Sequence, residues 1–364
     1  MDFMNSYLSE NVKNLIPYVA GLQPQGPGWI KLNTNENPYP PSVKVMRTII
    51  AADTEMLRLY PDGESTALKE AIAANLDLDL GLCHKNIFCG NGSDEVLALA
   101  FQAFYSGKVN VLTPDISYGF YPVWGDMYNV KLEFRPLGED FTIDPNDYKD
   151  ANGVVIANPN APTSLALELS QIEQILHQNP KGVVLVDEAY INFANVDSAV
   201  SLLPKYENLL VVRTFSKSHS LAGMRVGYAI GHPKLIKALG LVRDAFNSYP
   251  LDMLAQTAAI AAIKDNIHLF KTCKQVIKTR EETAKNLQKI GYQVLPSQTN
   301  FLLIKTPAAE ELYKHLLKNK ILARYWLKPR LSHFLRVTIG TDKEMEAFIK
   351  CVQEFANAKQ TKQM

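Results

Sequence analysis

The segment from Arg213 to Tyr228 contains two cations whose types and spacing could do chemistry. Lys217 lies in a loop rich in serine and glycine, and its amine could form a Schiff base with a carbonyl compound such as pyridoxal phosphate. Arg225, eight residues later, could hold a phosphate through its bidentate guanidinium group. Taken alone, the segment also fits an exposed loop with two solvated cations, so the rest of the chain must decide between the two interpretations.

Polar residues follow other short apolar segments, at points where buried strands are predicted to end. Residues 90–94 (Gly-Asn-Gly-Ser-Asp) follow Ile87–Cys89 and run directly into a helical pattern. The glycines allow close backbone approach, and the free N–H groups of a helix N-terminus suit a phosphate. The same residues are also compatible with an ordinary turn in which Ser93 or Asp94 caps the helix.

Three further loops carry side chains that could contact a flat, charged cofactor. Asp187 follows the apolar segment Val183–Val186, and a carboxylate there needs a partner such as a protonated pyridine nitrogen, an arginine or a helix N-terminus. Tyr118, after Val109–Leu112, could stack on a flat ring or belong to the core. The loop Asn158–Ser164 is bracketed by prolines and carries amide groups, but it also fits a plain turn.

Short apolar segments alternate with helical patterns between about residues 85 and 231. Those typical of strands covered by helices on both faces are Val109–Leu112, Val154–Ala157, Val183–Val186, Leu209–Val212 and Val226–Ile230. Helical patterns lie between them, for example at residues 94–104 and 170–176. This alternation predicts an α/β fold with a mostly parallel sheet covered by helices on both faces. In such a sheet, ligands bind outside the carboxyl ends of the strands, which is where the polar residues above lie.

The pattern changes after residue 250. Residues 251–290 contain no glycine or proline and predict one long helix, or two helices that meet near Lys264-Asp265. The elements predicted after them are strands at 293–296, 300–304 and 334–339 and helices at 308–318 and 342–355. We therefore predict three regions: an N-terminal arm that packs with the small domain (1–30), a large cofactor-binding domain (31–250), and a connecting helix with a smaller α+β domain (251–364).

Composition argues against several classes of function. The 364 residues carry a formal net charge of +1, which disfavours nucleic acid or an acidic membrane as the main partner. No apolar segment approaches the ~18 residues of a membrane span, and the first residues lack the pattern of a signal peptide. The four cysteines and seven histidines show no metal-binding or redox spacing. We expect a cytoplasmic protein with free thiols and no structural metal.

Eight segments, taken in order, resemble the fold-type I pyridoxal-phosphate aminotransferases, and most closely their histidinol-phosphate aminotransferase branch. The segments are Ile16–Gly21, Leu32–Tyr39, Tyr60–Glu64, Gly90–Glu95, Asp187–Tyr190, the segment that contains Lys217, Phe246–Asp252 and Leu335–Gly340. Each is short, but their order and spacing cover about nine-tenths of the chain. The resemblance implies pyridoxal 5'-phosphate as cofactor and a homodimer with shared active sites.

The resemblance also implies roles for individual residues. Lys217 would bind the cofactor, Asp187 would face its pyridine nitrogen, and Tyr190 would hydrogen-bond its phenolic oxygen. The other residues implied at the cofactor are Tyr118 on the ring, Asn160 as a source of an amide, Gly92, Ser93, Asp94, Ser216 and Arg225 at the phosphate, and Tyr60 from the neighbouring subunit. The residues implied for the substrate are Arg336, Arg324, Tyr18 and Asn35.

One position departs from the family pattern. The family's loop commonly reads Asn-Pro-Thr-Gly, with the asparagine beside the phenolic oxygen, whereas this chain has Ala161-Pro-Thr-Ser164. Either Asn160 or Asn158 supplies the amide from a shifted position, or Tyr190 serves that oxygen alone.

The reaction implied by the resemblance converts histidinol phosphate and 2-oxoglutarate into imidazole acetol phosphate and glutamate, with ping-pong kinetics. Lys217 would be the base that moves the Cα proton of the substrate, while Asp187 would keep the pyridine nitrogen protonated. An aromatic amino acid aminotransferase or a phospho-amino-acid decarboxylase is the alternative within the same class. A cofactor-binding sensor without catalysis is the alternative from another class, and the joint presence of Lys217, Asp187 and Arg225 disfavours it.

Overall fold

The computed structural model describes residues 7–13, 15–19, 21–24, 26–76 and 80–363. Its strands, numbered in chain order, are β1 (Ile30–Lys31), β2 (Ile87–Asn91), β3 (Val111–Pro114), β4 (Leu132–Arg135), β5 (Gly153–Ala157), β6 (Val183–Asp187), β7 (Leu209–Thr214), β8 (Val226–Gly231), β9 (Gln293–Val294), β10 (Phe301–Lys305), β11 (Ile321–Leu322), β12 (Arg324–Tyr325) and β13 (Phe334–Thr338). Its helices are α1 (Glu10–Lys13), α2 (Val43–Ile50), α3 (Thr66–Leu76), α4 (Gly92–Ala100), α5 (Tyr121–Met127), α6 (Leu169–Gln178), α7 (Pro233–Phe246), α8 (Met253–Ile263), α9 (Asn266–Lys289), α10 (Ala309–Lys318) and α11 (Asp342–Gln363).

A seven-stranded sheet with the order β2-β8-β7-β6-β5-β3-β4 forms the centre of the molecule. Every neighbouring pair in it is parallel except the two that include β8, which runs antiparallel to β2 and to β7. The carboxyl ends of the other six strands therefore meet the amino end of β8 at one edge. The loops that carry the polar residues singled out in the sequence all converge on this edge.

Helices cover both faces of the sheet. Alternate strand residues pack on opposite sides: Val154 and Val184 share a core with helices α3, α6 and α8. Their neighbours Val155 and Leu185 share another core with α4, α5 and α7. Because both faces are buried, the strands need apolar residues at nearly every position. The predicted α/β fold with a mostly parallel sheet is confirmed.

Most element boundaries lie within two residues of the predicted ones. Strand β3 begins at Val111 instead of Val109, because Val109 is exposed and Asn110 has a positive φ of 56° that ends regular extension. Of the two options for residues 251–290, the structure has two helices, and the break lies at Lys264 and Asp265.

A second, smaller core surrounds a four-stranded antiparallel sheet with the order β12-β13-β10-β9. Helices α9, α10 and α11 contribute Val276, Leu312 and Phe348 to it, and Leu32 joins them from the N-terminal side. Helix α8 instead packs its alanines into the core of the large sheet. The boundary between the two cores thus falls between α8 and α9, about 14 residues after the predicted domain boundary at residue 250.

Part of the predicted N-terminal arm, namely residues 1–6, 14, 20 and 25, lies outside the described residues. After the arm, β1 pairs in parallel with β11, so the chain enters the large domain beside the smaller core. The packing of the arm itself against the small domain stays a prediction. Within the described part of the chain, no helix is long and apolar enough to cross a membrane.

Candidate active site

A cavity of about 280 Å³ opens at the carboxyl edge of the seven-stranded sheet. Its walls come from the segment after β1, the start of α4, the ends of β5 and β6, the loops after β3, β5, β6 and β7, and the residue before β8. The side chains that line it are Thr34, Glu36, Ser93, Asp94, Tyr118, Ala157, Ala161, Asp187, Ala189, Tyr190, Ser216, Lys217, Ala222 and Arg225. The structure therefore brings together most of the residues that the sequence predicted at the cofactor.

Asp187 is the last residue of β6 and lies in the buried part of this cavity. Its Oδ2 accepts a hydrogen bond from the hydroxyl of Tyr121 at 3.1 Å, and its Oδ1 accepts one from the backbone N–H of Ala189 at 3.2 Å. Burial raises the pKa of Asp187 to about 7, against these two hydrogen bonds, which lower it. A buried carboxyl with a raised pKa would be ionised readily if a cation lay beside it.

Lys217 lies in the loop after β7. Its Nζ donates a hydrogen bond of 3.3 Å to the carbonyl oxygen of Thr34 and lies 6.0 Å from the centre of the Tyr190 ring. Burial lowers the pKa of Lys217 to about 8, and the positive charge of Arg336 contributes in the same direction. A lysine of this pKa is neutral in a large fraction of molecules near pH 8, so its amine can act as a nucleophile or a base.

A group of hydrogen-bond donors lies at the other end of the cavity, where α4 begins. Arg225 has a left-handed backbone (φ 52°), which aims its guanidinium group at Ser216 Oγ (3.3 Å) and at the carboxylate of Asp94 (3.3 Å). The strand and the helix approach closely here, since a Cβ on Gly227 would lie 2.2 Å from the backbone nitrogen of Ser93. Helix N–H groups, two hydroxyls and an arginine are together suited to a phosphate.

Tyr118 lies over the same end of the cavity. Its hydroxyl donates a hydrogen bond of 2.7 Å to Asp94, which fixes the ring. The ring edge packs against Tyr121 with 5.6 Å between centroids. Asp94 therefore accepts hydrogen bonds from Tyr118, which was predicted to stack on the cofactor ring, and from Arg225, which was predicted to bind the phosphate. In the structure, Asp94 positions these two side chains.

Tyr190 lines the cavity, but Asn35, which was predicted to contact the substrate, does not. The side chain of Asn35 is buried and donates a hydrogen bond of 2.9 Å from Nδ2 to the Tyr190 hydroxyl. That prediction is corrected, because the hydrogen bonds to Tyr190 and Thr338 use the amide of Asn35 inside the protein.

Asn160 also lies outside the cavity. Its amide donates to the carbonyl oxygen of Ile116 and to Thr163 Oγ1, both at 2.9 Å, and it accepts from Ser117 Oγ at 2.7 Å. These bonds hold the side chain of Asn160 against the loop after β3 and against Thr163. The side chain of Asn158 is likewise engaged, by two hydrogen bonds with the backbone of Leu167. The residue of this loop that reaches the cavity is Ala161, which offers only a methyl group. The structure thus places neither asparagine at the predicted position.

The two arginines predicted to bind the substrate lie side by side on neighbouring strands of the smaller sheet. Arg324 of β12 is paired with Arg336 of β13. Their guanidinium groups both lie over the Trp326 ring, at 5.6 Å and 5.3 Å from its centre. Arg336 Nη2 donates to the carbonyl oxygen of Asn33, while its Nε is buried and has no hydrogen-bond partner among the described residues. A buried donor without a partner is costly, so this N–H is open to an anion.

Tyr18 connects these arginines to the aromatic wall of the cavity. Its ring stacks on Phe120 with 4.4 Å between centroids and lies 6.4 Å from Tyr118. Arg324 holds the adjacent backbone, because its Nη2 donates to the carbonyl oxygen of Val19 at 2.9 Å.

Tyr60, which was predicted to reach the cofactor of the neighbouring subunit, does not line the cavity of its own chain. Tyr60 is 81% exposed, and its ring stacks on Tyr249.

Known proteins with the same sequence pattern are numerous. The family model described as aminotransferase class I and II matches residues 27–352. The chain belongs to the class I and II aminotransferases. It is 47% identical to the histidinol-phosphate aminotransferase of Clostridium botulinum over 357 residues, which cover 97% of this chain and 99% of that protein. The family that the sequence predicted is therefore confirmed.

Solved aminotransferase structures share the fold. The histidinol-phosphate aminotransferase of Clostridium acetobutylicum superposes with a TM-score of 0.82 at 25% identity and covers 90% of this chain and 99% of its own. That of Sinorhizobium meliloti, solved in complex with pyridoxal-5'-phosphate, has a TM-score of 0.81 at 23% identity and covers 90% of this chain and 91% of its own.

The residues of this aminotransferase cavity fit pyridoxal phosphate. Asp187 is a buried carboxyl with a raised pKa and no cationic partner among the described residues, as expected where a pyridinium would lie. The donors around Ser93, Ser216 and Arg225 suit a phosphate at the opposite end, and Lys217 borders the same cavity. No group of three or more residues that could hold a metal ion is found in the described part of the chain.

Sequence reasoning missed three contributors to this site. Tyr121 was not singled out, although it lies three residues after Tyr118 and could have been placed on the same side of a helical turn. Thr34 and Glu36 lie in the matched segment 32–39 and line the cavity. Burial raises the pKa of Glu36, but hydrogen bonds from Lys31 and Thr34 outweigh this, and the net pKa is lowered.

Proposed function

We propose that this protein is a pyridoxal-phosphate-dependent histidinol-phosphate aminotransferase, which converts histidinol phosphate and 2-oxoglutarate into imidazole acetol phosphate and glutamate in histidine biosynthesis. The observation that carries the proposal is the meeting of Lys217, Asp187 and Arg225 in one cavity of a chain 46–47% identical to histidinol-phosphate aminotransferases. A transaminase of this kind uses an amino donor and a 2-oxo acid in turn, so ping-pong kinetics follow.

When bound, pyridoxal phosphate supplies a carbonyl that captures the substrate amine and a protonated ring that accepts the electrons released at Cα. Asp187 holds the ring nitrogen in its protonated state, because its buried carboxylate is stable only beside a cation. Lys217, once its amine is free and neutral, would take the Cα proton of the substrate and deliver it to C4′ of the cofactor. Arg225, Ser216 and the first turn of α4 bind the phosphate of the cofactor. Because the cofactor is held in place in this way, both substrates meet it in a fixed orientation.

Arg336 and Arg324 provide the recognition of the substrate's anionic end. A site that serves both histidinol phosphate and glutamate must accept a phosphate in one half-reaction and a carboxylate in the other. The planar fork of arginine matches both geometries. The buried Nε of Arg336 supports this role, and Arg324 and Tyr18 flank it.

We also propose that two copies of the chain form the active unit. Tyr60 is 81% exposed on its own chain, where the nearby Tyr249 and Phe246 are also exposed. An exposed aromatic surface of this kind favours burial against a partner, and a second copy would place Tyr60 at the phosphate end of the neighbouring cavity. The free thiols Cys83, Cys89, Cys273 and Cys351 support the further proposal that the protein acts in the cytoplasm.

A half-reaction screen tests the proposed function. The purified protein is loaded with pyridoxal phosphate and mixed with histidinol phosphate, phenylalanine, tyrosine or phosphothreonine, and the loss of the cofactor's visible absorbance is followed. We expect the largest kcat/KM for histidinol phosphate, with glutamate formed on addition of 2-oxoglutarate. Faster turnover of phenylalanine or tyrosine would assign the protein as an aromatic amino acid aminotransferase, release of carbon dioxide as a decarboxylase, and binding without turnover as a sensor.

A further inference from the structure

Three hydrogen bonds link the backbone of Asn35 to the hydroxyl of Tyr190. The Asn35 N–H donates to Thr338 Oγ1 at 3.0 Å, and the Thr338 hydroxyl donates to Asn35 Oδ1 at 3.0 Å. Asn35 Nδ2 then donates to Tyr190 Oη at 2.9 Å. Asn35 and Thr338 are each 2% exposed, so water does not compete for these groups.

The direction of this chain of hydrogen bonds is fixed at its first member. A backbone N–H can only donate, so the Thr338 oxygen accepts there, and its proton goes to Asn35 Oδ1. Among the described residues the Thr338 hydroxyl has no other acceptor, so a flipped Asn35 amide would leave that buried proton without a partner. The assignment with the NH₂ group of Asn35 facing Tyr190 is therefore the one that satisfies both residues. Tyr190 Oη accepts from that group, which leaves its own proton to be donated elsewhere.

Within the described part of the chain, the cavity is the side toward which the Tyr190 hydroxyl can donate that proton. Among the described residues, no other hydrogen-bond partner of the Tyr190 hydroxyl is present, and Tyr190 is part of the cavity wall. On the same wall, Ala161 contributes a methyl group and no donor. A tyrosine whose proton has a fixed direction is therefore the donor available to an oxygen bound at this point.

We propose that Asn35 and Thr338 are positioning residues that hold Tyr190 as a hydrogen-bond donor toward the phenolic oxygen of the cofactor. The proposal rests on the proposed function, because it needs pyridoxal phosphate in the cavity. It adds that two residues outside the cavity determine which way the hydroxyl of Tyr190 donates. Without them, the hydroxyl could turn and act as an acceptor.

The backbone of Asn35 supports this role. Asn35 has a left-handed φ of 56°, which asparagine and aspartate tolerate better than other residues with a side chain. Its carbonyl oxygen accepts from Asn300 Nδ2 at 3.0 Å, so the segment is held from the smaller core as well. Asn35→Asp therefore keeps both shape and backbone conformation while it replaces the NH₂ donor with an acceptor.

The test is a pH titration of the visible absorbance of the cofactor-loaded protein, because this absorbance depends on the protonation state around the phenolic oxygen. Tyr190→Phe removes a hydrogen-bond donor that stabilises the negatively charged oxygen. The pH at the midpoint of the absorbance change should therefore rise by about one unit. In Asn35→Asp, the Tyr190 hydroxyl turns to the new carboxylate, and we expect a rise of the same size. Thr338→Val should raise the midpoint by a smaller amount, and Thr338→Ser should restore the parental value.

The added charge of Asn35→Asp is separated from its effect on Tyr190 by a double-mutant cycle. If Asn35 acts through Tyr190, Asn35→Asp causes no further rise in the Tyr190→Phe background. An equal rise with and without the tyrosine hydroxyl, or an unchanged midpoint in Asn35→Asp, overturns the proposal. Thermal unfolding is followed for every variant, and the Asn35 cycle decides the question even where Thr338→Val is unstable. Failure of the parent protein to bind pyridoxal phosphate would contradict the proposed function instead.

Discussion

A Cβ atom on Gly92 would lie 2.4 Å from Nη2 of Arg225. The first residue of α4 thus leaves room for the guanidinium group that we assign to the cofactor phosphate. Gly92 also has a φ of 82°, so the backbone itself favours glycine. One position therefore serves both the helix start and the placement of the arginine.

Gly92→Ala should weaken the binding of pyridoxal phosphate by roughly tenfold, because a displacement of Arg225 costs on the order of one charge-assisted hydrogen bond. The positive φ should also lower the free energy of unfolding by about 1 kcal/mol. Equilibrium binding followed by absorbance and urea unfolding measure the two effects. Gly223→Ala is the matched control, since no atom of the described residues would lie within 4 Å of a Cβ there and its φ is not positive. Equal affinities of the two variants would contradict the assignment of Arg225.

Lys217→Ala should abolish transamination while the fold persists. A general base contributes about 10²–10⁴-fold to the rate, and Lys217 also anchors the cofactor. Lys217→Arg should be equally inactive, since arginine stays charged where the lysine, with a pKa of about 8, can become neutral. Single-turnover kinetics with histidinol phosphate and circular dichroism provide the measurements. Turnover by either variant near the parental rate would remove Lys217 from its assigned role.

The stability of the cofactor-free protein should fall as the pH rises from about 4 to about 7, relative to Asp187→Asn. The folded pKa of Asp187, about 7, exceeds the ordinary value of 3.8, so the folded state holds a proton that the unfolded state has lost. The stability that this proton contributes is complete at the acid end and is lost as the pH passes the folded pKa. Each pKa unit corresponds to about 1.4 kcal/mol. Urea unfolding of both proteins across this range is the measurement, and parallel pH profiles would refute the prediction.

Bound pyridoxal phosphate should make the ionised carboxylate the stable form of Asp187, because the pyridinium lies beside it, so the advantage of the protonated form seen without cofactor should disappear. Asp187→Asn should then bind the cofactor more weakly and, even when saturated with it, show a much lower half-reaction rate. A normal half-reaction rate for saturated Asp187→Asn would show that the carboxylate does not maintain the protonated ring.

Arg324→Ala should reduce kcat/KM for histidinol phosphate more than for phenylalanine. Arg324 faces Arg336 across β12 and β13, and a phosphate loses a charge-assisted hydrogen bond that an aromatic ring does not make. The expected change in the ratio of the two kcat/KM values is about tenfold. Arg324→Lys keeps the charge without the fork and should lie between Arg324→Ala and the parent. Equal losses for both donors would indicate that Arg324 only holds the backbone at Val19.

Mixed dimers test whether Tyr60 acts across subunits. Tyr60→Leu and Lys217→Ala are each expected to impair their own homodimers. When the two chains are co-expressed with different affinity tags, a mixed dimer contains one cavity with both residues intact. The isolated mixed dimer should therefore regain up to about half of the parental activity. If it stays as inactive as the parent variants, Tyr60 does not reach the cavity of its neighbour.

The sequence alone determined which residues could do chemistry and which segments become strands. Lys217, Asp187 and Arg225 were identified because each lies where an apolar segment ends or begins, and parallel strands bring such positions to one edge of a sheet. The strands themselves were evident, since burial on both faces demands continuous apolar residues. These properties are local, and the short-range pattern of the chain is enough to express them.

The tertiary structure decided which polar groups meet. Asn35 was assigned to the substrate, but its amide is oriented by Thr338, 303 residues away, and faces Tyr190. The residues near Ala161 offered two candidate amides, and hydrogen bonds to Ile116 and Leu167 drew both away from the cavity. A short polar side chain can satisfy its donors and acceptors in several ways, and only the packing of distant elements selects one of them.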